Sequence, residues 1–168
     1  MNFFSVKEFF YKLNTIGFIL LLLPLVLFVF LHFYTLGTDP AIGDGDQLTV
    51  LFLVLCSVVA IILTIVHLLW RARMKRLMQL SELARKMDGY FVLFVVRNGA
   101  YAAGSLLMAI GFYLTHSFYF TGVFFVLLLA LVAQWPRPRV FCNAFGLRGP
   151  ERDLILNNRD LYRKSARK

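Results

Sequence analysis

The chain has 168 residues, 60% of them hydrophobic, with a mean hydropathy of +0.72 and a formal net charge of +9. A soluble domain carries about 45–50% apolar residues and could not bury this excess, so a water-soluble globular fold is excluded. The positive charge would suit nucleic acid, but its distribution along the chain follows membrane orientation instead, and no nucleic-acid partner is expected.

Four apolar runs hold the excess: Ile16 to Leu36, Leu48 to Trp70, Tyr90 to Thr115 and Phe118 to Trp135. Each is long enough, or nearly so, to cross a bilayer core of about 30 Å as a helix. They are continuously apolar, whereas transmembrane strands alternate over about 10 residues, so β-barrel strands are excluded. The expected fold is all-α, a four-helix transmembrane bundle over residues 1–135 with a basic tail over 136–168.

Met1 to Asn14 reads as an amphipathic lead-in, with Phe3, Phe4, Phe9, Phe10 and Tyr11 set against Lys7, Glu8 and Lys12. Such a mix favours the headgroup region. The first run is too long for a signal-peptide core and lacks a small-residue cleavage site, so it reads as an uncleaved span. Pro24 near its middle removes a backbone donor and favours a kink. His32 and Tyr34 fall at its outer end as interfacial anchors.

The loop from Gly37 to Gln47 is rich in turn residues. Its Asp44-Gly45-Asp46 lacks the rest of a calcium loop, including the closing glutamate, so it reads as a solvated turn. In the second run, Cys56, Ser57 and Thr64 are small polar interruptions that can bond to their own helix carbonyls. His67 lies one turn before Trp70 at the inner interface.

From Arg71 to Asp88 the pattern predicts a continuous amphipathic helix. Leu77, Leu80, Leu83, Ala84 and Met87 share one face, and Lys75, Glu82, Arg85 and Lys86 the other. That helix could lie on lipid, pack on the tail or dock a partner. Asp88-Gly89 is the expected turn, with Asp88 as N-cap of the third span. Thr115-His116-Ser117 leaves room only for a tight hairpin between the third and fourth spans. Pro136-Arg137-Pro138-Arg139 is expected as an extended basic strap, and Gly149-Pro150-Glu151-Arg152-Asp153 as the start of a short C-terminal helix. Leu154, Ile155, Leu156, Leu161 and Tyr162 would give that helix its apolar side, ahead of the basic end Arg163 to Lys168.

Of the 18 Lys and Arg, Lys7 and Lys12 precede the first run, six lie between Arg71 and Lys86, nine lie between Arg137 and Lys168, and the last is Arg97. All three basic segments fall on one side of a four-span chain, so the positive-inside rule puts both termini in the cytoplasm. Arg71, Arg73, Lys75, Arg76, Arg137 and Arg139 are then candidates for anionic headgroups, each attracted by about 1 kcal/mol. Cys56 and Cys142 lie too far apart in such a bundle to pair, and no disulfide is expected.

Polar groups inside spans are the first functional suspects, because burying them is costly. Arg97 leads them, about 10 Å into its run at 1.5 Å per residue. One reading is an arginine that snorkels to phosphate. The sharper one is a polar pocket of Arg97, Asn98, Tyr101 and His67 that holds an anion or a partner's acidic group. Around it Gly99 with Ala103, and Ala100 with Gly104, are small residues at four-residue spacing, the pattern by which membrane helices approach closely. No Asp or Glu lies in any run, which argues against an ion-translocating subunit, and no paired aspartates or Ser/His pair suggests proteolysis. No catalytic set, cofactor motif or metal-ligand cluster is legible.

The residues from Arg97 to Gly104, then Tyr113-Leu114-Thr115, Trp135-Pro136-Arg137-Pro138, Gly146-Leu147 and Glu151-Arg152 resemble those of a group of small four-helix inner-membrane proteins of Bacteroidota-type bacteria. The resemblance covers about the last 75 residues and implies a bacterial inner membrane, with no activity attached. Some members carry a glutamate in the third span near Ala102 or Ala103, where this chain has alanines. The expected function is an assembly or accessory protein that binds lipid headgroups and another membrane protein or a second copy. Two alternatives stand beside it. One is a small transporter or channel component with a polar path past Asn98 and Arg97. The other is a four-span glutathione-transferase-like enzyme, although the arginine-and-asparagine pattern of the second span is missing.

Overall fold

Long runs of Leu, Phe, Val and Ile offer no side chain that competes for backbone hydrogen bonds, and without water the backbone must satisfy itself, which a helix does. The computed structural model describes residues 6–42, 45–80, 82–147 and 149–156. Among them are α1 (Val6–Thr35), α2 (Asp46–Met78), α3 (Leu83–Thr115), α4 (Phe118–Ala133), α5 (Pro138–Ala144) and α6 (Pro150–Leu156), and no strand. α1, α2 and α3 are each long and apolar enough to cross a membrane, and a fourth span is complete if α4 and α5 count as one bent crossing.

From Val6 to Asn14 the lead-in forms the first turns of α1, where Phe9, Phe10 and Leu13 are buried and Glu8 bridges Lys12 at 2.6 Å. Phe3 and Phe4 lie outside the described residues, as do Asp44, Leu161, Tyr162 and the stretch Arg163 to Lys168. Pro24 sits inside α1 without ending it.

α3 is the hub, packed along α1, α2 and α4, while α1 touches α4 far less. Phe9 meets Tyr90 at 6.5 Å and Phe28 meets Phe112 at 5.2 Å, so α1 and α3 run the same way. Trp70 meets Tyr90 at 5.7 Å, whereas Leu55 comes close to Gly111, so α2 runs against α3. The turn between α3 and α4 is as tight as its sequence implies. His116 takes the left-handed conformation at φ 52°, its N–H bonds Phe112 O at 2.7 Å, and Ser117 Oγ accepts from Tyr119 N.

The buried residues form two clusters. One gathers Phe9, Phe10 and Leu13 of α1, Met74 of α2, Met87, Tyr90 and Phe94 of α3, and Phe141, Cys142, Phe145, Leu147 and Ile155 of the tail. The other joins Phe28, Val59, Met108, Phe112, Phe120, Phe124 and Leu127 toward the opposite end. α2 buries only Val59 and Met74 of its 33 residues, leaving an apolar surface of the kind a bilayer covers.

Three expectations are corrected. The helix between the second and third spans is not continuous, because α2 ends at Met78 with Gln79 as C-cap and α3 starts after Glu82, whose backbone is extended. The break resets the helical phase, so Lys86, expected on the polar face, is buried and Ala84 is exposed. Asp88-Gly89 is therefore not a turn. Both residues lie within α3, and a Cβ on Gly89 would collide with the Leu77 side chain of α2, so the glycine allows the two helices to cross closely. The basic strap is shorter than expected, since α5 begins at Pro138, where a missing N–H costs nothing. The chain bends by 78° there, and α4 has only 16 residues, about 24 Å.

Gly111 marks the tightest packing of α3 on α4. A Cβ there would stand 2.5 Å from the Phe120 ring, which is fully buried and held edge-on by Phe52 at 5.2 Å. Gly111→Ala is expected to destabilise the bundle by about 1–3 kcal/mol through overpacking, read as a lowered melting temperature in detergent. Gly99→Ala, where a Cβ meets nothing within 4 Å, is expected to leave it unchanged or raise it slightly.

Candidate functional site

Between the two apolar clusters, α3 passes through a short polar and small-residue layer from Arg97 to Ser105. Asn98 is 1% exposed, and its Nδ2 donates to Phe94 O at 2.8 Å. Ser105 is buried and its hydroxyl donates to Tyr101 O at 2.9 Å. Both side chains thus hand their donors back to the helix that carries them, four residues up the chain. Asn98 Oδ1 is buried without a hydrogen-bond partner.

Arg97 takes a different direction. Its guanidinium carbon lies 3.8 Å from the centroid of the Trp70 ring on α2. Nε is buried and has no hydrogen-bond partner. Tyr90 and Tyr101, seven residues before and four after Arg97 on α3, lie within electrostatic range of it. Tyr90 also meets the Trp70 ring edge-on at 5.7 Å. Among the described residues no carboxylate pairs with Arg97, and its recorded neighbours are the Trp70 ring, Tyr90 and Tyr101.

The four residues of the expected pocket are therefore not all gathered at one point. Arg97 and Tyr101 share a flank, while Asn98 is turned 100° around α3 and spends its donor on Phe94. His67 is exposed on α2, one turn from Trp70. Trp70, read in the sequence as the end of a span, is the residue missed. The available signal was that it and Arg97 each lie within two turns of the basic end of their runs, and so at similar depth. Of the small residues, Gly104 is buried with its missing Cβ 3.1 Å from Val59 and 3.5 Å from Leu127, and Ala100 is half-buried. Gly99 and Ala103 lie on the outer side, with Ala103 exposed.

Arg71, Arg73, Lys75, Arg76, Arg137 and Arg139 are all exposed. The first four flank two clefts on either side of α2. One, of about 530 Å³, is lined by Leu68, Trp70, Arg71, Met74, Lys75 and Met78. The other, of about 390 Å³, is lined by Arg73, Arg76, Leu77, Gly89, Val92 and Leu93. No group of three or more His, Cys, Asp or Glu could hold a metal among the described residues. Arginine does not give up its proton, so Arg97 offers a fixed positive charge and hydrogen-bond donors. Comparison with protein-family models, curated proteins and solved structures gave no match.

The Trp70–Arg97 stack is expected to be worth about 1–2 kcal/mol in a site shielded from water. Trp70→Leu should lower the melting temperature, and Arg97→Leu should cost less in that background than in the wild-type chain. Strictly additive losses would show that the pair is not coupled.

Cys142, on α5 beyond the 78° bend that follows α4, is 2% exposed, and burial pushes its thiol above the ordinary range, an effect that Arg152 partly offsets. A pKa raised in the folded state adds stability below the unfolded thiol value of about 8.5 and loses it as pH climbs through the folded value. Maleimide labelling of Cys142 at pH 7 is expected to be slow, and to become fast on denaturation.

Proposed function

We propose that the chain is a four-span protein of a bacterial inner membrane, with both termini cytoplasmic. On this reading it is an assembly or accessory factor whose basic cytoplasmic cap binds anionic headgroups and a partner membrane protein. The observation that carries this reading is the cap itself. The start of α1, the ends of α2 and α3 that meet at the Gln79–Glu82 break, and the tail share one buried core, from Phe9 to Ile155. A lone membrane anchor does not need such a core. It holds Arg71, Arg73, Lys75, Arg76, Arg137 and Arg139 exposed on one folded end, next to the apolar faces of the helices. The positive-inside bias supports the orientation, and the resemblance of the hairpin and tail supports the type of membrane.

Purification from native membranes in mild detergent tests it, comparing wild type with a variant in which Arg71, Arg73, Lys75, Arg76, Arg137 and Arg139 are all replaced by Gln. The wild-type protein is expected to bring down anionic lipid above its bulk share together with a defined partner, and the variant to lose both. Identical lipid and protein sets would overturn the reading. A phosphatase fused after Lys168 is expected to be inactive, as a cytoplasmic C-terminus requires.

A further inference from the structure

The cleft between α2 and α3 combines two features that point to one kind of ligand. At its basic end stand Arg73 and Arg76, both exposed, and neither has an ion-pair partner among the described residues. Of the acids nearest in sequence, Glu82 is taken by Arg85 at 2.8 Å and Asp88 is not free. The rest of the lining is apolar: Leu77, Gly89, Val92 and Leu93. Gly89 keeps the floor low, because a Cβ there would displace Leu77.

The cleft also continues in the right direction. On α2, Leu69, Arg73 and Arg76 follow one another at four- and three-residue spacing, so one stripe passes from apolar to basic. Leu69 is 48% exposed, and on α3 Val92 and Val96 are 51% and 48% exposed. Arg73 and Arg76 lie about 4.5 and 9 Å beyond Trp70 along the helix axis, which is headgroup depth when Trp70 marks the interface. Two cations above an apolar trough at that depth match an amphiphile with an anionic head and an acyl tail.

We propose that this cleft is a binding site for a single anionic phospholipid, with the phosphate held between Arg73 and Arg76 and an acyl chain lying along Val92 and Val96. The site rests on the reading of the cap as a lipid-facing surface and makes it specific. Arginine suits the head because its planar fork grips phosphate oxygens in pairs, which a diffuse positive surface does not require.

The test is native mass spectrometry of the full chain released from nanodiscs of equal phosphatidylglycerol and phosphatidylcholine. Wild type is compared with Arg73→Gln/Arg76→Gln and with Arg137→Gln/Arg139→Gln, and melting temperatures confirm that each variant is folded. The wild-type protein is expected to retain one phosphatidylglycerol in preference to phosphatidylcholine. The Arg73/Arg76 variant should lose that retention by about tenfold or more, and the Arg137/Arg139 variant should keep it. Equal losses in both variants would overturn the site while leaving general headgroup binding intact. Equal retention of the two lipids by wild type would overturn both.

Discussion

One helix has to satisfy three neighbours. α3 packs on α1, α2 and α4, and each contact asks for a different surface on the same cylinder. Toward α1 it offers aromatic bulk in Tyr90, Phe94 and Phe112. Toward α2 and α4 it offers the missing side chains of Gly89, Gly104 and Gly111, which bring Leu77, Val59 and Phe120 close to the backbone. In a bilayer there is no hydrophobic gain between helices, so shape fit and interhelical contacts must hold the bundle. The polar groups of α3 are consistent with that demand. Asn98, Ser105 and Thr115 each turn a donor back onto their own helix.

Arg97 is the exception, and it shows how a charge is accommodated inside an apolar layer. With no carboxylate paired to it among the described residues, it rests on the Trp70 face, near Tyr90 and Tyr101. An aromatic ring attracts a cation through its quadrupole and needs little desolvation of its own, unlike a buried ion pair. The same contact ties α2 to α3 directly before the basic stretch of α2 begins at Arg71. The stack therefore orients the Arg73 and Arg76 flank relative to α3, linking packing in the membrane to the geometry of the cap.

Two buried clusters with a polar layer between them give the molecule an unequal construction. The cluster toward the Phe120 end is made of span residues only, whereas the one at the basic end recruits the tail through Phe141, Phe145 and Ile155. The 78° bend after α4 makes this possible, because it returns α5 across the bundle end, and Trp135 closes the joint by packing on Phe18 at 4.7 Å. A tail that merely left the membrane could not fix basic residues at defined positions. Packed into the core, it can.

The four runs, the hairpin at His116 and the proline that opens α6 were legible in the sequence. So was the segregation of charge, because each of these is a local or summed property: transfer of apolar side chains, a fixed φ, the absence of an N–H. Which flank of a helix meets which neighbour was not legible. The phase of a helix carries across a segment only while the helix is unbroken, and the break between Gln79 and Glu82 moved Lys86 inward and Ala84 outward. Gly89 read as a turn because glycine after aspartate is a turn signal along one chain. Its role comes from Leu77 on another helix, and only the tertiary structure brings those two residues together. Arg97 likewise stood out in the sequence as a charge without a home. Packing of α2 against α3 supplied the Trp70 ring, since a contact between residues 27 positions apart depends on the relative rotation of two helices, which hydropathy does not encode.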